Sequence, residues 1–206
     1  MPGTSNGGRI AGAALAGIAL LCAGISTALV AAEITVKTHK RGDAVEVDVR
    51  ATLHAPLELI WQTLTDYDHL ADFIPGINYS RLLEYRGTAA IVEQNGEAGI
   101  LFFKFPIDVV VESLELAPYT IEVRVLKGNL KQLDGRYHIE LGARPEDGIA
   151  LSWSGVIEPA TRLPPLIGEM VLRANVADQF RGMVREIERR HAHSGTAPTD
   201  GKSAVR

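Results

Sequence analysis

Cysteine is nearly missing. One residue, Cys22, stands in a chain of 206. That excludes intrachain disulfides, Cys-based zinc sites and iron–sulfur clusters. A basic excess is missing too. The formal net charge is -4 and the pI lies near 5.9, so there is no positive face of the kind nucleic-acid binding requires. Aromatic residues make up only 6% of the chain, which leaves a mostly aliphatic core. There is no Gly-rich phosphate loop and no Gly-x-Ser-x-Gly, the usual marks of nucleotide binding and serine hydrolysis. What remains is globular in composition, 46% hydrophobic and 22% charged, and is neither disordered nor collagen-like. The length suits one domain plus an appendage.

The two ends separate from the middle. Ile10 to Ala32 carries no charge and is dominated by Ala, Gly, Leu and Ile, with Arg9 before it and Glu33 after it. This is the layout of a secretory signal peptide, with cleavage expected after Ala32 and an earlier option between Ser26 and Ala28. The run is also long enough to cross a bilayer, so an uncleaved N-terminal membrane anchor is the alternative. Lipidation at Cys22 is disfavoured because Leu21 precedes it where a lipobox wants a small residue. The expected location is therefore periplasmic or secreted, or membrane-anchored facing outside the cytoplasm. At the other end, residues 191–206 are rich in Ala, Ser, Gly, Thr and Pro without apolar periodicity, and read as a disordered tail. His191 and His193 in that tail make a poor metal site.

Between them, residues 33–190 form one domain. Ala44–Leu53 alternates strictly, with Val45, Val47, Val49, Ala51 and Leu53 on one side, the pattern of a half-buried strand. Ile34–His39 extends it upstream. Pro56 opens a helix carrying Leu57, Ile60, Trp61 and Leu64, at a position where its missing N–H costs nothing. A second short helical turn from Thr65 ends at Phe73-Ile74-Pro75-Gly76. Six strands follow: 78–85, 88–98, 100–115, 120–126, 130–141 and 149–157, most of them separated by turn residues. From Pro164-Pro165 the period becomes helical to about Arg190, a helix of roughly 40 Å. Strands ahead of one long helix imply an α+β domain with the helix laid on one sheet face.

Strand parity carries the functional reading. One face holds Phe103, Phe105, Ile107, Val109 and Val111, then Ile121 and Val123, then Tyr137 and Trp153. The other face holds Lys104, Asp108, Glu122, Arg124, Arg136 and Glu140, as in an antiparallel sheet covered on one side. The apolar face has no ionisable acid, base or His on these strands. Its polar handles are the Tyr137 hydroxyl and the Trp153 indole. Acid–base or nucleophilic catalysis needs a titratable group with a partner in reach, so this interior suits an apolar guest held at about 25 cal/mol per Å² buried, provided the sheet curves enough to leave a hollow.

The stretch Val49 to Glu84 resembles the opening of the polyketide cyclase/dehydrase and lipid-transport group, helix-grip proteins of the START and birch-pollen-allergen superfamily, which includes coenzyme Q-binding START-like proteins. The shared features are the alternating strand, the Ala-Pro helix start, Trp61, and Tyr67-Asp68 followed by Phe73-Ile74-Pro75-Gly76; the likeness continues to about Arg190. It implies a curved antiparallel sheet of about seven strands gripping the C-terminal helix, with two short helices after the first strand and an apolar cavity within. By position it nominates Trp61, Met170, Ala174 and Phe180 on helices as ligand-binding residues. On strands it nominates Phe103, Phe105, Tyr137 and Trp153, and at the cavity mouth Phe73 and Ile74. The family has no single catalytic motif to transfer, and fold alone licenses no activity.

Weaker signals remain. Asp66, Asp68, His69 and Asp72 cluster beside the short helices and read as caps and solvated charges rather than a metal site. Glu93 and Gln94 share a strand with mixed faces, so either can point inward. Asn78-Tyr79-Ser80 is a chance sequon. The expected function is to bind and to transport or sequester a lipid, quinone or polyketide-like molecule, with no cofactor, metal or nucleic acid involved. Transient contact with a membrane surface fits such cargo, and the oligomeric state is not legible. The alternatives are a cyclase/dehydrase-type enzyme on an aromatic or polyketide-like substrate, and an accessory protein acting through its surface.

Overall fold

Alternation in Ala44–Leu53 becomes strand β2, whose inward residues Val45, Val47, Val49, Ala51 and Leu53 are all buried. The computed structural model describes residues 33–100, 103–161 and 165–195; the expected leader, residues 1–32, lies outside them, as do residues 196–206. Before β2 comes β1 (Ile34–Arg41), and after it α1 (Leu57–Leu64), a 3-10 turn (Tyr67–His69) and α2 (Leu70–Phe73). Then follow β3 (Ile77–Arg86), β4 (Ala89–Ile100), β5 (Phe103–Leu116), β6 (Thr120–Gly128), β7 (Leu130–Leu141) and β8 (Ile149–Pro159). The chain closes with α3 (Pro165–Ser194).

All strand pairings are antiparallel, and the single sheet has the order β1-β2-β8-β7-β6-β5-β4-β3. Among the described residues the count is eight strands rather than about seven. The additional strand is the Ile34–His39 extension, which pairs along its whole length with β2 and forms one edge. The short helices carry the chain from β2, near that edge, to β3 at the opposite edge.

Helix α3 explains the sheet's shape. It packs closely against β1 and β2 on one side and β4 on the other, while the central strands β5 to β8 stand off. In a flat sheet, the five steps from β2 to β4 at about 4.8 Å each would set these strands about 24 Å apart. A helix roughly 10–12 Å across cannot reach both, so the sheet must curl around it. Thr38 on β1 donates a hydrogen bond to Glu169 on α3 (3.0 Å) and ties the helix start to the edge strand. α3 runs on to Ser194, past the boundary expected at Arg190, so His191 and His193 are helical rather than part of a tail. No described helix is long and apolar enough to cross a membrane.

The core is continuous but uneven. Towards the β7–β8 turn it is solid: Leu53, Ile60, Leu151 and Ile187 are fully buried, with Thr63 among them. The Thr63 hydroxyl is satisfied by donating to the Leu59 carbonyl at 2.8 Å. Towards the β4–β5 end, between α3 and the central strands, the interior opens.

Candidate ligand-binding cavity

The opening is a cavity of about 420 Å³, within the range of roughly 300–1,000 Å³ typical of small-molecule sites. Its sheet wall is the inward parity of β4 to β8. Val109, Val111, Ile121, Val123 and Leu133 line it, all from the face that strand alternation makes apolar. Phe105, Tyr137 and Trp153 lie on the same wall, and Phe180 and Ile74 close it from α3 and the loop after α2. Exposed Asn95, Pro106 and Thr161 form its rim.

The floor depends on two glycines. Gly135 and Gly155 face each other across β7 and β8. A Cβ on Gly135 would lie 2.6 Å from the Trp153 ring, and one on Gly155 2.8 Å from it. With no side chain at either position the indole lies along the sheet instead of filling the hollow. Tyr137 sits opposite Trp153 in register, their rings 6.4 Å apart and tilted by 57°. Tyr137 is half-buried, packs against the core and lines the cavity. Burial pushes its hydroxyl up to about 12, so it stays protonated as a neutral donor and acceptor.

The mouth loop is held by close backbone approaches. Gly76 adopts φ +83, a conformation that favours glycine, and its carbonyl accepts from the Glu97 N–H at 2.8 Å. Gly96 beneath it has no room for a side chain, because a Cβ there would collide with the Gly76 carbonyl. On α3, a Cβ on Gly182 would lie 2.5 Å from the Phe73 carbonyl and from Pro75.

Five nominated residues therefore come together at the cavity: Ile74, Phe105, Tyr137, Trp153 and Phe180. Others do not reach it. Trp61 packs half-buried against the core from α1, outside the lining. Phe73 turns to the opposite side of the loop, where its ring lies under the Arg190 guanidinium, 5.4 Å away. Met170 is 49% exposed and Ala174 is off the lining. The cause is helical phase: both lie two positions from the lining residue Leu172, about 200° around the helix at 3.6 residues per turn. Phe103 opens β5, but its side chain lies outside the described residues.

The lining holds more polar groups than Tyr137 and Trp153 alone. Gln94 points in from β4, while Glu93 points out to Arg81 (3.2 Å). Ser113, Asn129, Asn175 and Gln179 also line the wall. Strand parity missed the last two because polar residues on a helix look solvent-facing. Their spacing with Leu172, Val176 and Met183 on one stripe was the available signal. Tyr67, deep in the cavity, donates to Glu115 at 3.1 Å; burial and then the Glu115 charge push its hydroxyl well above the ordinary range. No Asp, Glu, Lys, Arg or His lines the cavity among the described residues.

In the acidic cluster beside the short helices, Asp66, Asp68 and His69 make hydrogen bonds within the protein. Asp66 accepts from His69 (2.6 Å) and from Arg190 (2.7 Å), and Asp68 accepts from the Leu82 N–H (2.8 Å). Burial raises Asp66, but the His69 and Arg190 hydrogen bonds outweigh it and hold the carboxyl below its ordinary value. The same contact with Asp66 raises His69. Glu186 accepts from Arg189 and Arg190, each at 2.6–2.7 Å, and the Arg189 bond above all brings its carboxyl down to about 2.

A curved antiparallel sheet closed by one long helix over an apolar-walled hollow defines a START-like helix-grip domain. The profile of the family described as "Polyketide cyclase / dehydrase and lipid transport" matches residues 53–184, and the chain belongs to that family. Solved structures share its fold. A STAR-related lipid transfer protein from Xanthomonas axonopodis aligns with TM-score 0.63 and 15% identity, covering 75% of this chain and 93% of its own. An aromatase/cyclase from a Streptomyces species aligns at 0.57 and 18%, covering 71% and 95%. A START superfamily protein from Mycobacterium smegmatis aligns at 0.57 and 14%, covering 71% and 97%. No curated protein sequence matches the chain.

Proposed function

We propose that the chain binds a hydrophobic small molecule in this cavity and carries or sequesters it. The observation that carries the reading is the stand-off between α3 and the central strands, which leaves about 420 Å³ walled by aliphatic and aromatic side chains. An empty apolar hollow forfeits packing contacts that a guest restores, so occupancy stabilises the fold as well as the ligand. Lipids, quinones and polyketide-like molecules all fit this chemistry. The uncharged run from Ile10 to Ala32 supports work outside the cytoplasm, and an exported domain without cysteine would need no oxidative folding. Brief contact with a membrane surface would load such cargo.

Solvent extraction of protein purified from its native host, followed by mass spectrometry, tests the reading. Recovery of one apolar species in stoichiometric amount supports it. Repeatedly empty protein overturns it and favours a role for the outer surface. Analysis of the N-terminus of the same preparation tests export: a chain starting at Glu33 supports cleavage after Ala32, whereas cytoplasmic full-length chain sinks it.

The likeness to an aromatase/cyclase keeps an enzymatic role as the second reading. In the described lining the titratable side chains are Tyr67 and Tyr137, both pushed above the ordinary tyrosine range. Tyr137 can hold a carbonyl by hydrogen bonding, whereas the Tyr67 proton is already given to Glu115, and both hydroxyls are too basic to shed a proton near neutrality. Turnover of an aromatic or polyketide-like substrate that is lost in Tyr137→Phe would favour the enzyme.

A further inference from the structure

The cavity's polar groups are unevenly committed. Asn129 spends its carboxamide on the protein: it donates to the Pro106 carbonyl (2.7 Å) and accepts from the Asp108 N–H (3.0 Å), tying the β6–β7 turn to β5. Asn175 and Gln179 differ. They stand one turn apart on α3, on the stripe that faces the hollow. Neither has a hydrogen-bond partner among the described residues. Among the described residues no buried side-chain polar atom lacks a partner, so these two amides, which line the cavity, are not sealed in the core. Gln94 faces the same space from β4, with one long contact to the Ser80 hydroxyl at 3.5 Å. Asn175 is brought beside the mouth loop, its Nδ2 3.3 Å from where a Cβ on Gly76 would stand.

Resting on the reading above, we infer that the ligand is a neutral molecule whose carbonyl or hydroxyl oxygen is seated by the Asn175 and Gln179 carboxamides, with Gln94 opposite. Carboxamides offer both donors and acceptors without charge. Two of them on a helix stripe otherwise filled by Leu172, Val176 and Met183 gain nothing from packing that Leu would not give better. They are useful when a guest brings the complementary oxygen. Among the described residues of the lining, a carboxylate or phosphate meets no Lys, Arg or His to receive it, and an ammonium no Asp or Glu; each would be stripped of water without compensation. The site therefore admits ketones, quinones and alcohols and rejects fatty acids and charged headgroups.

Three probes of nearly the same shape test this by equilibrium dialysis at neutral pH: acetonaphthone, which carries a ketone; ethylnaphthalene, its apolar counterpart; and naphthoate, its anionic counterpart. Naphthoate should bind at least about a hundredfold more weakly than acetonaphthone. The double variant N175L/Q179L should lose about three- to tenfold in affinity for acetonaphthone while holding ethylnaphthalene at least as well as the parent. That retained binding also certifies the fold. Gln179→Met, close in shape, should show a smaller loss in the same direction. An acetonaphthone affinity untouched by both variants overturns the inference, as does naphthoate binding on a par with the ketone; the cavity reading survives either result. Failure of all three probes to bind overturns the cavity reading itself.

Discussion

The two halves of the interior are built from the same kinds of residue and behave differently. Around α1 and the second half of α3, Leu53, Ile60, Leu151 and Ile187 leave no space. A few turns earlier on α3, the helix faces strands it cannot reach and the space stays open. Hydrophobicity does not separate the regions; distance does. α3 packs most closely against the sheet at its two arms, so the filled part lies where the short helices wedge against it and the hollow lies under the arch.

Truncations should expose that contrast most strongly. Ile187→Ala removes a side chain from tight packing and should cost about 2–5 kcal/mol by chemical denaturation. Leu133→Ala, on the wall of the hollow, should cost about 1 kcal/mol, because the side chain already borders empty space. Equal costs would mean that the two regions are packed alike. The next largest effect is expected at the joint between them. Gly182→Ala places a methyl against Phe73 and Pro75 and should destabilise by about 1–3 kcal/mol, despite the better helix propensity of Ala.

Acid sharpens the comparison from the solid side. Glu186 has a folded-state value of about 2, below its ordinary 4.5. Its ion pairs with Arg189 and Arg190 therefore stabilise fully above about pH 4.5, and that contribution fades as pH falls towards 2. A loss of about 1–2 kcal/mol over that window is expected, after allowing for the exposure of Arg189. The loss should be shallower in Glu186→Gln, and urea titrations across the window read it. The smallest effect on stability belongs to the floor of the hollow. Gly135→Ala should lift the Trp153 indole into the cavity and weaken acetonaphthone about tenfold, at a folding cost near the low end of the roughly 1–3 kcal/mol of an overpacked site, since the ring has open space to move into.

The strands were legible wherever alternation was clean. Ala44–Leu53 and Leu130–Leu141 have the boundaries read from the sequence, because a half-buried strand writes its two faces as alternate letters. β1 was legible only as an extension, since an edge strand with mostly exposed residues carries a weak pattern and is held by its pairing with β2. The end of α3 was placed too early, at Arg190. Small and polar composition suggested a tail, whereas a mostly exposed helix end is anchored by Arg190 on Asp66. At the cavity, strand parity was enough to place Phe105, Tyr137 and Trp153. Helix phase was not: a helix touched on two sides has two inward stripes, and Met170 and Ala174 fall on neither. The carboxamides of Asn175 and Gln179 were not singled out, because strand alternation says nothing of the hollow they line.

The chain has two tryptophans, and the arch treats them differently. Trp153 lies on the cavity floor over paired glycines, whereas Trp61 rides on α1 outside the lining. A guest entering the hollow changes the surroundings of one indole and leaves the other as an internal reference. The protein thus carries its own optical gauge of occupancy: emission from Trp61→Phe tracks filling, and emission from Trp153→Phe stays constant.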